Sequence, residues 1–213
     1  LAEGFSPPGY LFWRFFIAIV LFGLLIKSRD LKRLHRANRS ELSLLLLSGG
    51  LYGLGAWISF EALSRTSVAF AMIAIFTYPV FTALFQPMFT GIKLKKKDIQ
   101  AGLLVIINIS SMAPITQVST QDLVGIGLGL LSAVCFGLDM CISKLNVSNG
   151  FSSSSINVIR FGTLVIGFSP FAVGSFQTLI NGNIHLVFLA ALVTVIGHFS
   201  FIHCLKKLTP TTL

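Results

Sequence analysis

Charge is scarce in this chain, and negative charge most of all: only 11% of 213 residues are charged, with seven Asp and Glu against sixteen Lys and Arg. Soluble domains carry about 25% charged residues, so this deficit, beside 54% hydrophobic and 12% aromatic residues, argues against an ordinary soluble fold. Cysteine is also sparse. Cys135, Cys141 and Cys204 are odd in number and lack a Cys-x-x-Cys spacing, so they read as small packing residues rather than as disulfides or metal ligands. There is no His-Glu-x-x-His, Gly-x-Ser-x-Gly or Walker A pattern to organise a hydrolytic centre or to bind ATP, so no enzyme activity, cofactor or metal is expected.

What the chain has instead is long apolar runs, near 9–26, 42–62, 68–90, 99–115, 122–143, 156–173 and 184–205. At about 1.5 Å per residue, each is long enough to cross a hydrocarbon layer roughly 30 Å thick. In lipid a backbone amide has no water to bond, so such runs form helices or a closed barrel. Barrel strands are about ten residues long with strict alternation, and these runs are neither. The expected fold is therefore an all-α polytopic membrane protein with about seven transmembrane helices.

The basic residues are distributed unevenly. Lys27, Arg29, Lys32, Arg33, Arg36 and Arg39 follow the first run, Lys93, Lys95, Lys96 and Lys97 the third, Lys144 the fifth, and Lys206 and Lys207 the seventh. All thirteen fall on one side of the bilayer. The opposite loops hold Arg65 with Asp122, and 174–183 is uncharged. By the positive-inside rule residue 1 is outside and the loops 27–40 and 91–98 are cytoplasmic, which implies a multi-pass protein of the cell (inner) membrane. Aromatic residues do not interleave with the basic ones, so nucleic acid is not an expected partner.

An internal repeat is visible. Phe5, Ser6, Arg14, Phe15 and Phe22 recur as Phe151, Ser152, Arg160, Phe161 and Phe168 at a constant offset of 146 residues. Gly55, Leu63, Arg65 and Ser67 are echoed by Gly197, Leu205, Lys207 and Thr209 at an offset of 142. The paired spans lie five apart, and an odd separation inverts the topology. Inverted repeats are a common plan of secondary transporters, with solute bound between the halves near the midplane.

Several motifs resemble the drug/metabolite transporter superfamily with its EamA domain: the Arg-Phe of spans one and six, Phe60-Glu61-Ala62-Leu63-Ser64-Arg65-Thr66-Ser67, Tyr78-Pro79-Val80-Phe81, and Gln100-Ala101-Gly102 opening a returning helix. The resemblance implies two inverted five-helix repeats, residues 1–117 and 118–213, with the first helix of one and the last two of the other lying outside this chain. It also implies a secondary transporter for a small organic metabolite or drug-like solute, often an exporter. Expected partners are that solute and the lipid bilayer, with a homodimer left open. A Gly-Glu-Arg-Leu-like turn common in such proteins reads Gly91-Ile92-Lys93-Leu94 here, so any role of that Glu is absent. The alternatives are an intramembrane enzyme and a non-transporting scaffold or channel subunit.

Polar groups within spans are the candidate working residues, because each is expensive in lipid and needs a partner. Arg14 and Arg160 would either snorkel and brace a loop carbonyl or attract an anionic group. Glu61 and Asp139 are the in-span carboxylates able to carry a proton or hold a cation. Arg65 at i+4 offers Glu61 a surface partner instead. Asp139 shares a face with Cys135, Ser132 and Gly125, a stripe suited to a lining wall, although Leu128 interrupts it and an i+5 tether to Lys144 at the inner boundary is the alternative. His198 suits a proton relay or a buried hydrogen bond. Pro79 is expected to kink span three and free carbonyls beside Tyr78, Thr77 and Thr82, with Trp57 one turn before Glu61. Gly129, Ala133 and Gly137 predict a close helix approach.

Overall fold

The computed structural model of the protein describes residues 6–91, 100, 103, 104, 107 and 119–207, and among these there is no strand. Helix α1 (Pro7–Leu25) starts at Ser6, whose hydroxyl accepts the Gly9 N–H, with two prolines in the first turn where no N–H is needed. Helix α2 (Ser28–His35) follows, then α3 (Arg39–Arg65), α4 (Val68–Ile75) and α5 (Tyr78–Thr90). After the fourth apolar run come α6 (Thr120–Ser148), α7 (Ser153–Phe168), a 3-10 turn at Ser169–Phe171, α8 (Ala172–Thr178), a π-helical turn at Leu179–Asn183, and α9 (Ile184–Lys207).

Among the described residues six segments are long and apolar enough to cross a bilayer: Pro7–Leu25, Arg39–Arg65, Val68–Phe89, Thr120–Ser148, Ser153–Asn181 and Ile184–Cys204. They coincide with six of the seven expected spans. The fourth, 99–115, falls almost entirely outside the described residues, as do the Lys93–Lys97 run and the repeat boundary near 117. Two expected loops contain helix. Residues 27–40 hold α2, and 174–183 continue the sixth span through α8 and the π-helical turn, because an uncharged stretch in lipid keeps its backbone bonds internal.

Apolar side chains cover the outside. Leu24, Met88, Ile166 and Val173 are each more than three-quarters exposed, while Arg160, Asn146, Asn157, Ser48 and Ser143 are fully buried. A water-soluble protein does not tolerate this inversion over a large surface, and a lipid-facing one requires it.

Contacts divide the chain into two compact units, Leu1–Gly50 with Ser143–Leu213, and Leu51–Ile142. In the first, α1 packs on α7 and α9. Phe15 stacks nearly parallel on Phe161 at 5.2 Å, and Phe22 reaches the same ring at 5.7 Å. Leu45, Phe151, Ile156 and Ile202 form a second buried group, on which Leu34 and Ala37 pack. Lipid is as apolar as these rings, so close packing and dispersion hold them together more than water exclusion does.

The second unit is built on small residues of α6. A Cβ on Gly129 would lie 2.6 Å from the Ala74 Cβ, and one on Gly137 would lie 2.8 Å from the Phe81 Cβ, so glycine is what lets α4 and α5 approach. The start of α6 is fixed by reciprocal capping: Ser119 Oγ accepts the Asp122 N–H at 3.2 Å, and the Asp122 carboxylate accepts the Ser119 N–H at 2.9 Å. Thr66 Oγ1 donates to the same carboxylate at 2.5 Å.

Candidate functional site

The polar side chains of the first unit gather around Arg160. It sits on α7 at 1% exposure, on the face that also buries Leu164 one turn later. Its Nη2 donates to Ser48 Oγ on α3 at 3.0 Å and to Ser143 Oγ on α6, and its Nη1 lies 3.3 Å from His198 Nδ1 on α9. One guanidinium thus joins side chains of three other helices. Because Arg keeps its protons, His198 Nδ1 is the acceptor and the ring proton belongs on Nε2. The His198 ring stands edge-on to Phe161 at 5.2 Å, which sets its plane.

Two amides extend this polar region along the helices. Asn157 precedes Arg160 by one turn on α7, and Asn146 follows Ser143 by one turn on α6. Both are fully buried, and neither the oxygen nor the nitrogen of either amide has a hydrogen-bond partner among the described residues. A buried amide left this way costs about 1–3 kcal/mol.

Arg14 is placed in parallel. Its Nε donates to Thr194 Oγ1 at 2.7 Å, and Thr194 lies one turn before His198 on α9. The snorkelling alternative therefore fails for Arg160, which is sealed among side chains. Arg14 likewise bonds a side chain instead of a loop carbonyl. Beside it, Trp13 Nε1 donates to Ser175 Oγ at 3.0 Å.

The remaining sequence candidates belong to the second unit. Glu61 and Arg65 form the i+4 pair at 3.8 Å, with side chains 38% and 54% exposed. Trp57 is exposed, and Tyr78 and Pro79 are partly buried. Pro79 does not kink a continuous helix. Phe76 and Thr77 make a turn, and Pro79 is the second residue of α5, where its missing N–H costs nothing. The nearby hydroxyls are already engaged: Thr77 Oγ1 donates to the Ala74 carbonyl at 2.7 Å and Thr82 Oγ1 to the Tyr78 carbonyl at 2.9 Å.

Asp139 is buried, but the stripe that precedes it is a packing face and not an open wall. Ser132 Oγ donates to the Gly55 carbonyl at 2.8 Å, a Cβ at Gly55 would touch Cys135, and one at Gly125 would lie 2.6 Å from Thr66. Small residues that look like a lining also let helices meet. Cys135 and Cys141 are buried and free, while Cys204 is free and exposed.

The sequence brings Arg14, Arg160 and His198 to attention but not Ser48, Ser143, Asn146 or Asn157. The available signal was the spacing of Ser143 with Asn146 and of Asn157 with Arg160, each placing two polar groups on one helix face.

Helices with apolar exteriors and polar side chains sealed inside define a polytopic membrane protein. Within that class, the family model of the EamA-like transporter family matches residues 1–112. The chain belongs to the EamA-like transporter family, and its membership makes it a membrane transporter of the drug/metabolite type. No curated protein matches the chain.

Proposed function

We propose that the protein is a secondary transporter that moves a small organic metabolite or drug-like solute across the cell membrane by alternating access, in the export direction. The observation that carries this reading is Arg160, a fixed cation sealed among four helices, with one unsatisfied amide a turn before it on α7 and another a turn after its partner Ser143 on α6. A structural membrane protein has no need to hold such a group in lipid, whereas a solute site needs polar groups fixed in advance.

The inverted repeat is part of the same proposal, with halves 1–117 and 118–213. Its support is that repeat-related residues meet. Arg14-Phe15 and Arg160-Phe161 correspond in sequence, Phe15 stacks on Phe161, and the two arginines bond α9 one turn apart. Contact between a side chain and its own counterpart supports an axis relating two copies. Residue 1 outside and the basic segments 27–40 and 91–98 in the cytoplasm complete the arrangement.

In this reading Arg160 and Arg14 attract the polar end of the solute, and His198 orients Arg160. Asp139 and Glu61 are assigned to proton coupling. Counterflow in proteoliposomes tests the reading, using labelled amino acids, organic acids and amphipathic cations in turn. A carrier accumulates label against an internal pool of the same solute. Absence of exchange for every solute class, with folded protein in the bilayer, would reject it.

A further inference from the structure

Helix α2 spends its sorted residues in an orderly way. Asp30 turns inward and accepts the Lys27 N–H at 3.2 Å; its other oxygen touches Arg29 Nε only at 4.0 Å. Arg33 also turns inward. It donates to Glu41 and, at 2.8 Å, to the Asn149 carbonyl, and its guanidinium lies 4.1 Å over the Phe151 ring. Leu34 and Ala37 pack on the Leu45 group. The acid of this helix and one of its cations are thereby consumed on the docked face.

The outward arc then holds Arg29, Lys32, His35 and Arg36, all exposed, with Leu31 at 52% exposure. Leu31, Lys32, His35 and Arg36 line one surface depression. The helix joins the end of α1 to the start of α3, so it lies at the bilayer boundary, directly after the exposed Leu24 and Leu25. Setting topology requires only net positive charge near a span and is indifferent to which way the side chains face. Holding the acid inward and the cations outward on a docked helix goes beyond that need.

We propose that the outward face of α2 is a binding site for anionic phospholipid headgroups, with Arg29, Lys32 and Arg36 bonding the phosphate and Leu31 lying against the acyl chains. Cations next to a span attract anionic lipid, and an apolar neighbour favours a lipid over a free phosphate. The inference is independent of the transported solute.

Native mass spectrometry of the detergent-purified protein tests it, with phosphatidylglycerol and phosphatidylcholine offered at equal concentration. The protein is expected to retain phosphatidylglycerol in preference. Each charge removed should weaken that retention about fivefold, so R29Q/K32Q/R36Q should lose about a hundredfold while its phosphatidylcholine adducts stay unchanged. Arg65→Gln, with its charge elsewhere, should leave retention unchanged. Thermal unfolding of the triple variant is followed alongside; if it unfolds, the single variant R36Q is read instead, with a fivefold loss expected. Undiminished phosphatidylglycerol preference in the folded variant would overturn the proposal. So would displacement of the lipid by equimolar inorganic phosphate, which would make this a free-phosphate site.

Discussion

Removing the Arg160 guanidinium should loosen the first unit by an amount that its partners set. The side chain donates to Ser48 and Ser143 and meets His198 Nδ1. Hydrogen bonds to a charged group contribute about 1.5–3 kcal/mol each in water-soluble proteins, but interhelical bonds in membranes average only about 0.6 kcal/mol. Three such bonds therefore place the cost of Arg160→Ala at roughly 2–5 kcal/mol, because Ser48 and Ser143, already 3.4 Å apart, can turn to each other while His198 cannot. Arg160→Lys should fall between, since one ammonium cannot span the fork of a guanidinium. Unfolding in mixed micelles measures these changes. A double-mutant cycle of R160A with S143A should give a coupling of about 1 kcal/mol, within the range for residues in one network. A coupling of zero, with R160A as stable as the natural protein, would refute the bonding scheme.

Gly129→Leu forces a side chain into the 2.6 Å gap before Ala74 and should cost about 1–3 kcal/mol, partly recovered by Ala74→Gly in the same chain; thermal unfolding in detergent reads both. Glu61→Gln removes an exposed i+4 pair and should change stability by less than about 0.5 kcal/mol, so a change in transport rate with E61Q would belong to function and not to folding. Asp122→Ala breaks the reciprocal cap of α6 together with the Thr66 bond and should lower stability, which a shift of the denaturant midpoint would show. Transport that persists unchanged in E61Q/D139N, assayed across an imposed pH gradient, would exclude proton coupling through either carboxylate and leave solute exchange.

Much of the fold was legible because lipid enforces a simple code. A run that must bury every amide internally announces itself by length, and six described spans match their apolar runs to within a few residues, apart from the C-terminal extensions of the fifth and sixth. The misjudged segments are those where composition and context disagree. Residues 28–35 are too charged and too few to look like a helix alone, yet Asp30 caps the first turn, basic residues suit the last, and Arg33 ties them to Glu41. Residues 174–183, with Gly174 and Gly182 and no charge, look like a loop in water, but lipid keeps them helical.

The site was less legible, and the reason is distance along the chain. Arg160 stood out as an ion within a span, but Ser48 lies 112 residues away and His198 lies 38, so nothing local announces that they meet. Pro79 misled because its effect depends on register: two residues after a turn it starts a helix, and within a helix it bends one. Asp139 was found buried as an inward-facing carboxylate should be, yet Ser132 and Cys135 on its face serve packing. Small polar residues suit both roles, and only the neighbouring helix decides between them.

The central claim is that Arg160 and the buried amides beside it belong to a solute site and not merely to a structural knot. Counterflow by the natural protein and by Asn157→Leu, an isosteric change that removes an unsatisfied buried amide, tests this most directly. If the amide serves solute, N157L should fold with equal or greater stability and lose exchange at least tenfold. Equal exchange by the two proteins would contradict the claim.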